Sequence, residues 1–116
     1  MDLKKRTKEF GLKIIKLYSS LPQGNVAQVI GKQLLRSGTS VGAQYREAYR
    51  SRSDSEYISK IKSITQELDE SIYWMELLIE AKIIKEEIIS DLMKEADEFL
   101  SIFVTSAKNV KNRKIK

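Results

Sequence analysis

Apolar side chains recur along residues 3–21 at Leu3, Phe10, Ile14, Leu17 and Leu21, with Thr7 completing a four-three-four-three-four spacing. That spacing lines one face of a helix, and it predicts a first helix over 3–20. Leu21-Pro22-Gln23-Gly24-Asn25 ends it, because Pro disfavours helix in the residue before it, and Asn25 can cap the next helix. Val26, Ile30, Leu34, Val41, Tyr45 and Ala48 predict a second helix over 26–49. After the polar link Arg50-Ser51-Arg52-Ser53, the capping box Ser53-Asp54-Ser55-Glu56 opens a third helix over 54–81. Its stripe is Tyr57, Ile61, Ile64, Leu68, Ile72, Met75 and Ile79, with Glu56 and Lys60 spaced as an i,i+4 ion pair. A fourth helix is expected over 85–110, with Ile88, Leu92, Phe99, Phe103 and Ala107 turned inward. The link through Ile83-Ile84 contains neither Gly nor Pro, so that boundary carries no punctuation.

Short links make consecutive helices antiparallel neighbours. The expected fold is all-α, an antiparallel up-down-up-down four-helix bundle over 1–110, followed by a flexible basic tail over 111–116. Gly38 and Gly42 lie four apart inside the second helix, each costing about 1 kcal/mol in helix propensity. They call for close approach by a neighbouring helix or subunit, or else for a bend near Ser37-Gly38-Thr39-Ser40. Slender bundles leave apolar area on their flanks, which a homo-oligomer buries.

Composition narrows the chemistry. The 116 residues include no Cys and no His, which removes thiolate metal sites, disulfides, His-based triads and His–carboxylate metal sites. Ser37 and Ser40 have no His base, and Ser37-Gly38-Thr39-Ser40 lacks the frame of a phosphate-binding loop. No cofactor motif is present, and the chain reads as a non-enzyme. No apolar run reaches the ~20 residues of a membrane span, and no apolar stretch follows the basic N-terminus, so a cytoplasmic location is expected.

Charge is unevenly placed. Residues 1–50 carry ten basic and three acidic side chains, residues 51–107 six and thirteen, and residues 108–116 five and none. In an up-down-up-down bundle both termini and the link after the second helix lie at one end. Lys4, Lys5, Arg6 and Lys8 therefore converge with Arg50 and Arg52, near Arg46, and with Lys108, Lys111, Arg113, Lys114 and Lys116. Such an end suits phosphate contacts to nucleic acid without base-specific readout. Five tail cations alone, neutralising about five phosphates, put an upper limit of about −4.5 per chain on their salt slope.

Other clusters read as structure. Glu67 and Glu70 lie three apart on one helix face, where Arg36 of the antiparallel neighbour can bridge to one of them, with Glu47 nearby in the same network. A di-iron bundle would need His beside such carboxylates, and an all-oxygen Mg²⁺ site has no motif here. Tyr73 and Trp74 sit at the edge of the third stripe, as a flank or subunit contact in preference to a base-stacking pair.

Two stretches carry a resemblance. They are Gln33 through Ala48, with Arg36-Ser37-Gly38-Thr39-Ser40 at its heart, and Tyr57-Ile58-Ser59-Lys60-Ile61 followed by Glu67 through Leu78, with Tyr73-Trp74 inside it. Together with Leu21-Pro22, they resemble the bacterial four-helix-bundle family of 23S rRNA intervening-sequence proteins. The resemblance covers nearly the whole chain. It implies an antiparallel four-helix bundle and a homopentameric ring, in a family for which no catalytic activity is established. It also implies a gene within a 23S rRNA intervening sequence or standing alone. The family is similar in turn to the accessory variability determinant of diversity-generating retroelements, a basic ring that binds nucleic acid and a reverse transcriptase. A protein-scaffold role, for example as accessory subunit to a reverse transcriptase, is the alternative this implies. Gln44 departs from the pattern, standing where the family favours Asn.

Overall fold

A computed structural model describes residues 2–115, with side chains through Arg113. Among the described residues the chain forms four helices: α1 Leu3–Ser19, α2 Asn25–Tyr49, α3 Asp54–Glu80 and α4 Glu86–Ile115. They pack in chain order, α1 on α2, α2 on α3 and α3 on α4, into a rod 52 × 23 × 20 Å. Cross-helix pairs establish the antiparallel register. Ser71 meets Ser37 and Lys60 meets Glu47 across α2 and α3, while Tyr57 meets Ser106 across α3 and α4.

The core runs the length of the rod, with Phe10, Ile14, Leu34, Ile61, Ile64, Leu68, Met75, Leu78, Phe99 and Phe103 all fully buried. Phe10 meets Phe99 edge-on at 5.6 Å between ring centres, which fastens α1 to α4 across the seam where those helices touch least. The stripes expected for α1 and α3 face this core. Those of α2 and α4 begin one residue late: Val26 and Ile88 are exposed, and Ala27 and Ile89 take the buried places. Both exposed residues lie in the first turn of their helices, where the preceding link sets the phase.

Gly38 and Gly42 face α1 of the same chain. A Cβ on Gly38 would lie 2.7 Å from Ile14 Cγ1, and one on Gly42 would lie 3.2 Å from the Thr7 carbonyl oxygen. Close approach by α1 is thus the reason for these glycines, and α2 passes through Ser37–Ser40 as continuous helix.

The helix ends separate into expected and unexpected devices. Ser53 caps α3 by accepting from Glu56 N at 3.1 Å. The return arm of the box reaches Arg52 N at 3.4 Å instead of Ser53 N. Glu56 is therefore not the partner of Lys60, which pairs with Glu47 at 3.0 Å. Asn25 is the first residue of α2 and not its cap; Gly24 takes the cap position, with no side-chain hydrogen bond. The unpunctuated α3–α4 link is a left-handed helix stop. Lys82 sits at φ 60°, Ile83 N donates to Leu78 O at 3.0 Å, and Lys82 N donates to Ile79 O at 2.9 Å. A lysine occupies the place usually given to glycine. At the other terminus, α4 continues as helix to Ile115, past the boundary expected at 110. The expectations for Lys116 and for the Lys114 side chain lie outside the described residues.

Candidate nucleic-acid interface

The start of α1, the α2–α3 link and the last turns of α4 meet at one end of the rod. Arg113 NH2 lies 3.9 Å from Asp54 Oδ1, joining α4 to the start of α3. Lys4 Nζ stands 4.6 Å above the Tyr49 ring, joining α1 to the end of α2. Residues 2–8, 46–56 and 108–113 together hold ten basic and four acidic side chains.

Not all of these cations are equal. Arg6 is engaged along the α1–α4 seam, with NH1 2.9 Å from Glu98 Oε1 and NH2 3.3 Å from Glu95 Oε2, and its guanidinium 4.8 Å from the Phe99 ring centre. The hydrogen bond from Arg6 holds the Glu98 carboxyl below its usual range, and Glu98 in turn raises the Arg6 guanidinium. Arg6 therefore fastens α1 to α4 and drops out of the candidate phosphate contacts. Among the described residues no carboxylate pairs with Lys4, Lys5, Lys8, Arg46, Arg50, Arg52, Lys108 or Lys111.

Three tyrosines stand among the cations. Tyr45, Tyr49 and Tyr57 line a cavity of about 480 Å³ with Ser51, Arg52 and Arg113. Tyr45 packs against Phe103 at 5.5 Å and Tyr49 at 6.4 Å. Burial pushes its hydroxyl above the ordinary tyrosine value, and nearby Tyr57, Tyr49 and Asp2 add in the same direction. Tyr57 OH and Ser106 Oγ share a hydrogen bond of 2.6 Å. Sequence reasoning placed Tyr45 and Tyr57 in the core stripes and passed over Tyr49. The usable signal was Tyr45 and Tyr49 four apart, interleaved with Arg46 and Arg50.

The remaining clusters lie elsewhere. At mid-rod, Arg36 forks between two residues of α3, with NH1 3.3 Å from Glu67 Oε2 and NH2 2.9 Å from Glu70 Oε1. Beneath it the buried Ser71 Oγ donates to Ser37 Oγ at 2.9 Å, a contact that ties the two helices together. Glu47 stands apart from that trio, about 16 Å further along α2, and holds Lys60. Tyr73 and Trp74 form an edge-on pair at 5.1 Å, about 30 Å along α3 from Asp54 and so away from the cationic end. Gln44 Oε1 is buried and accepts no hydrogen bond among the described residues. No group of three or more His, Cys, Asp or Glu side chains suited to a metal gathers among the described residues, and no helix there is long and apolar enough to cross a membrane.

Fold and site together define an antiparallel all-α four-helix bundle with a cationic, tyrosine-lined end. Residues 1–105 match the model of the 23S rRNA-intervening sequence protein family, and the chain belongs to that family. It is similar to a Bacteroides thetaiotaomicron protein of unknown function from the S23 ribosomal protein family, whose crystal structure is known at 1.70 Å. The two share 34% identity over 92% of this chain and 99% of that one, with a TM-score of 0.86. Comparison with curated proteins finds no match.

Proposed function

We propose that this chain is a non-enzymatic, homo-oligomeric nucleic-acid-binding protein that grips phosphates with the cationic end of its bundle. The observation that carries the reading is the gathering of Lys4, Arg46 and Arg50 around one concavity with no carboxylate among its lining residues. The absence of His and Cys from the sequence, with Glu67 and Glu70 both held by Arg36, supports a binding role over a catalytic one. Association is supported by exposed apolar side chains on α1 and α2, among them Leu12, Ile15 and Val29. The family resemblance favours a pentamer, in which five cationic ends would share one rim.

Fluorescence anisotropy with labelled RNA and DNA at two salt concentrations tests this. The expected result is micromolar or tighter binding that weakens steeply with salt, each phosphate contact adding about 0.9 to the log–log slope for a duplex and about 0.7 for a single strand. Absence of salt-sensitive binding to either polymer, together with capture of a polypeptide partner, would favour the scaffold role. Light scattering tests the assembly separately: about five chain masses is expected, and a monomer overturns the ring.

A further inference from the structure

Two concavities at the cationic end meet at Tyr49, which lines both. The smaller, about 250 Å³, is lined by Lys4, Arg46, Tyr49 and Arg50. Three cations without an acid around so small a space suit a phosphate group. The larger, about 480 Å³, falls in the size range of pockets that hold small organic ligands. Its walls include the rings of Tyr45, Tyr49 and Tyr57, and Ser51, also on its lining, has a buried Oγ with no hydrogen-bond partner among the described residues. Asp54 also lines the larger space, 3.9 Å from Arg113. A carboxylate there works against a phosphate, whereas aromatic walls and an unmet hydroxyl suit the face and edge of a base.

We propose that this end holds one unstacked nucleotide of a single-stranded nucleic acid. Its base lies against Tyr49 and Tyr45 in the larger concavity, and its phosphate lies among Lys4, Arg46 and Arg50 in the smaller. This rests on the phosphate-binding reading above and narrows it from any nucleic-acid backbone to single strands, RNA or DNA. A base within a duplex must first be unpaired and unstacked at a cost, so duplexes use the phosphate contacts alone. Tyr49 is the residue to change, because it is 63% exposed and its loss leaves the core intact.

The test is anisotropy of the full chain with labelled oligouridine, oligothymidine and a DNA duplex of the same length, for wild type, Tyr49→Leu and Tyr49→Phe. Wild type is expected to bind both single strands about tenfold more tightly than the duplex. Tyr49→Leu is expected to weaken the single strands about tenfold and leave the duplex unchanged, while Tyr49→Phe keeps wild-type affinity. Either order between oligouridine and oligothymidine supports the proposal, since both present unpaired pyrimidine bases. Equal affinity for strands and duplex, with Tyr49→Leu indistinguishable from wild type, overturns the nucleotide pocket and leaves the phosphate reading standing. No salt-sensitive binding to any of the three overturns both.

Discussion

The two ends of the rod close in different ways. Residues 17–28 and 76–90 form one end, with two basic and four acidic side chains. Two of its neutral polar side chains close its first turn: Tyr18 OH donates to Gln28 Oε1 at 3.0 Å, and Gln28 Nε2 donates to Pro22 O at 3.0 Å. Leu21 is buried there, and Ile83 and Ile84 pack against the core. The other end gathers cations that no described carboxylate neutralises, leaves the Ser51 hydroxyl unmet and opens two concavities around Tyr49. The same helices and the same kind of link produce an acidic end closed by its turns, here the sealed end, with a concavity of about 400 Å³ on its flank at Leu17, Ser20 and Ile88, and a cationic end proposed as receptive. Architecture alone therefore does not distinguish the two ends; the sign of their charge and the aromatic side chains they carry do.

This contrast breaks or sharpens under specific changes. The largest effect is expected from Lys4→Gln, Arg46→Gln and Arg50→Gln combined. Affinity for single-stranded RNA at low salt should fall on the order of 100-fold and the salt slope by about 2.1, measured by anisotropy. The matching change at the sealed end, Lys82→Gln with Lys85→Gln, should leave both quantities unchanged. Gly38→Val, midway between the ends, should instead weaken the whole bundle by ~3 kcal/mol, because even a Cβ there would press on Ile14 at 2.7 Å. Thermal unfolding should register that as a drop of roughly 10 °C. An unchanged melting temperature would mean that α1 does not seat against α2 as described.

Lys82→Gly should act at the sealed end alone and in the opposite direction. It relieves the left-handed backbone at φ 60°, so a gain of about 1 kcal/mol is expected in denaturant unfolding, with RNA affinity unaltered. The smallest effect belongs to Glu98→Gln. Arg6 lowers the folded-state pKa of Glu98, so its stabilisation is present above the ordinary carboxylate range and lost as pH falls through the lowered value. The variant should melt slightly below wild type at neutral pH, and the two should converge only once the pH has fallen below the lowered pKa of Glu98. A difference that persists in acid would assign the effect to packing and not to charge.

The fold was legible because its signals are local and repeated. Apolar spacing, Pro22 and the Ser53 cap placed the first three helices to within a residue or so. What escaped depended on contacts that no local pattern encodes. Ile88 satisfies the helical period as well as Ile89 does, and only the entry angle after the Lys82 stop puts Ile89 inside. That stop was invisible because lysine sits where glycine usually signals it. At the candidate site, topology was enough to bring the two termini and the Arg50–Ser53 link together. It could not show that Arg6 turns away to Glu95 and Glu98, since that choice depends on which acids α4 presents across the seam. Nor could periodicity separate Tyr45 as core from Tyr45 as pocket wall, because it is both: one side packs on Phe103 and the rest lines the cavity.

Ultraviolet cross-linking of the wild-type chain to single-stranded RNA, followed by peptide mapping, tests the receptive end most directly. Cross-links should fall in residues 2–8, 45–57 and 106–113, with Tyr49 foremost, and be absent from 17–28 and 76–90. Cross-links concentrated at the sealed end, or at the exposed Leu12, Ile15 and Val29, would contradict the account.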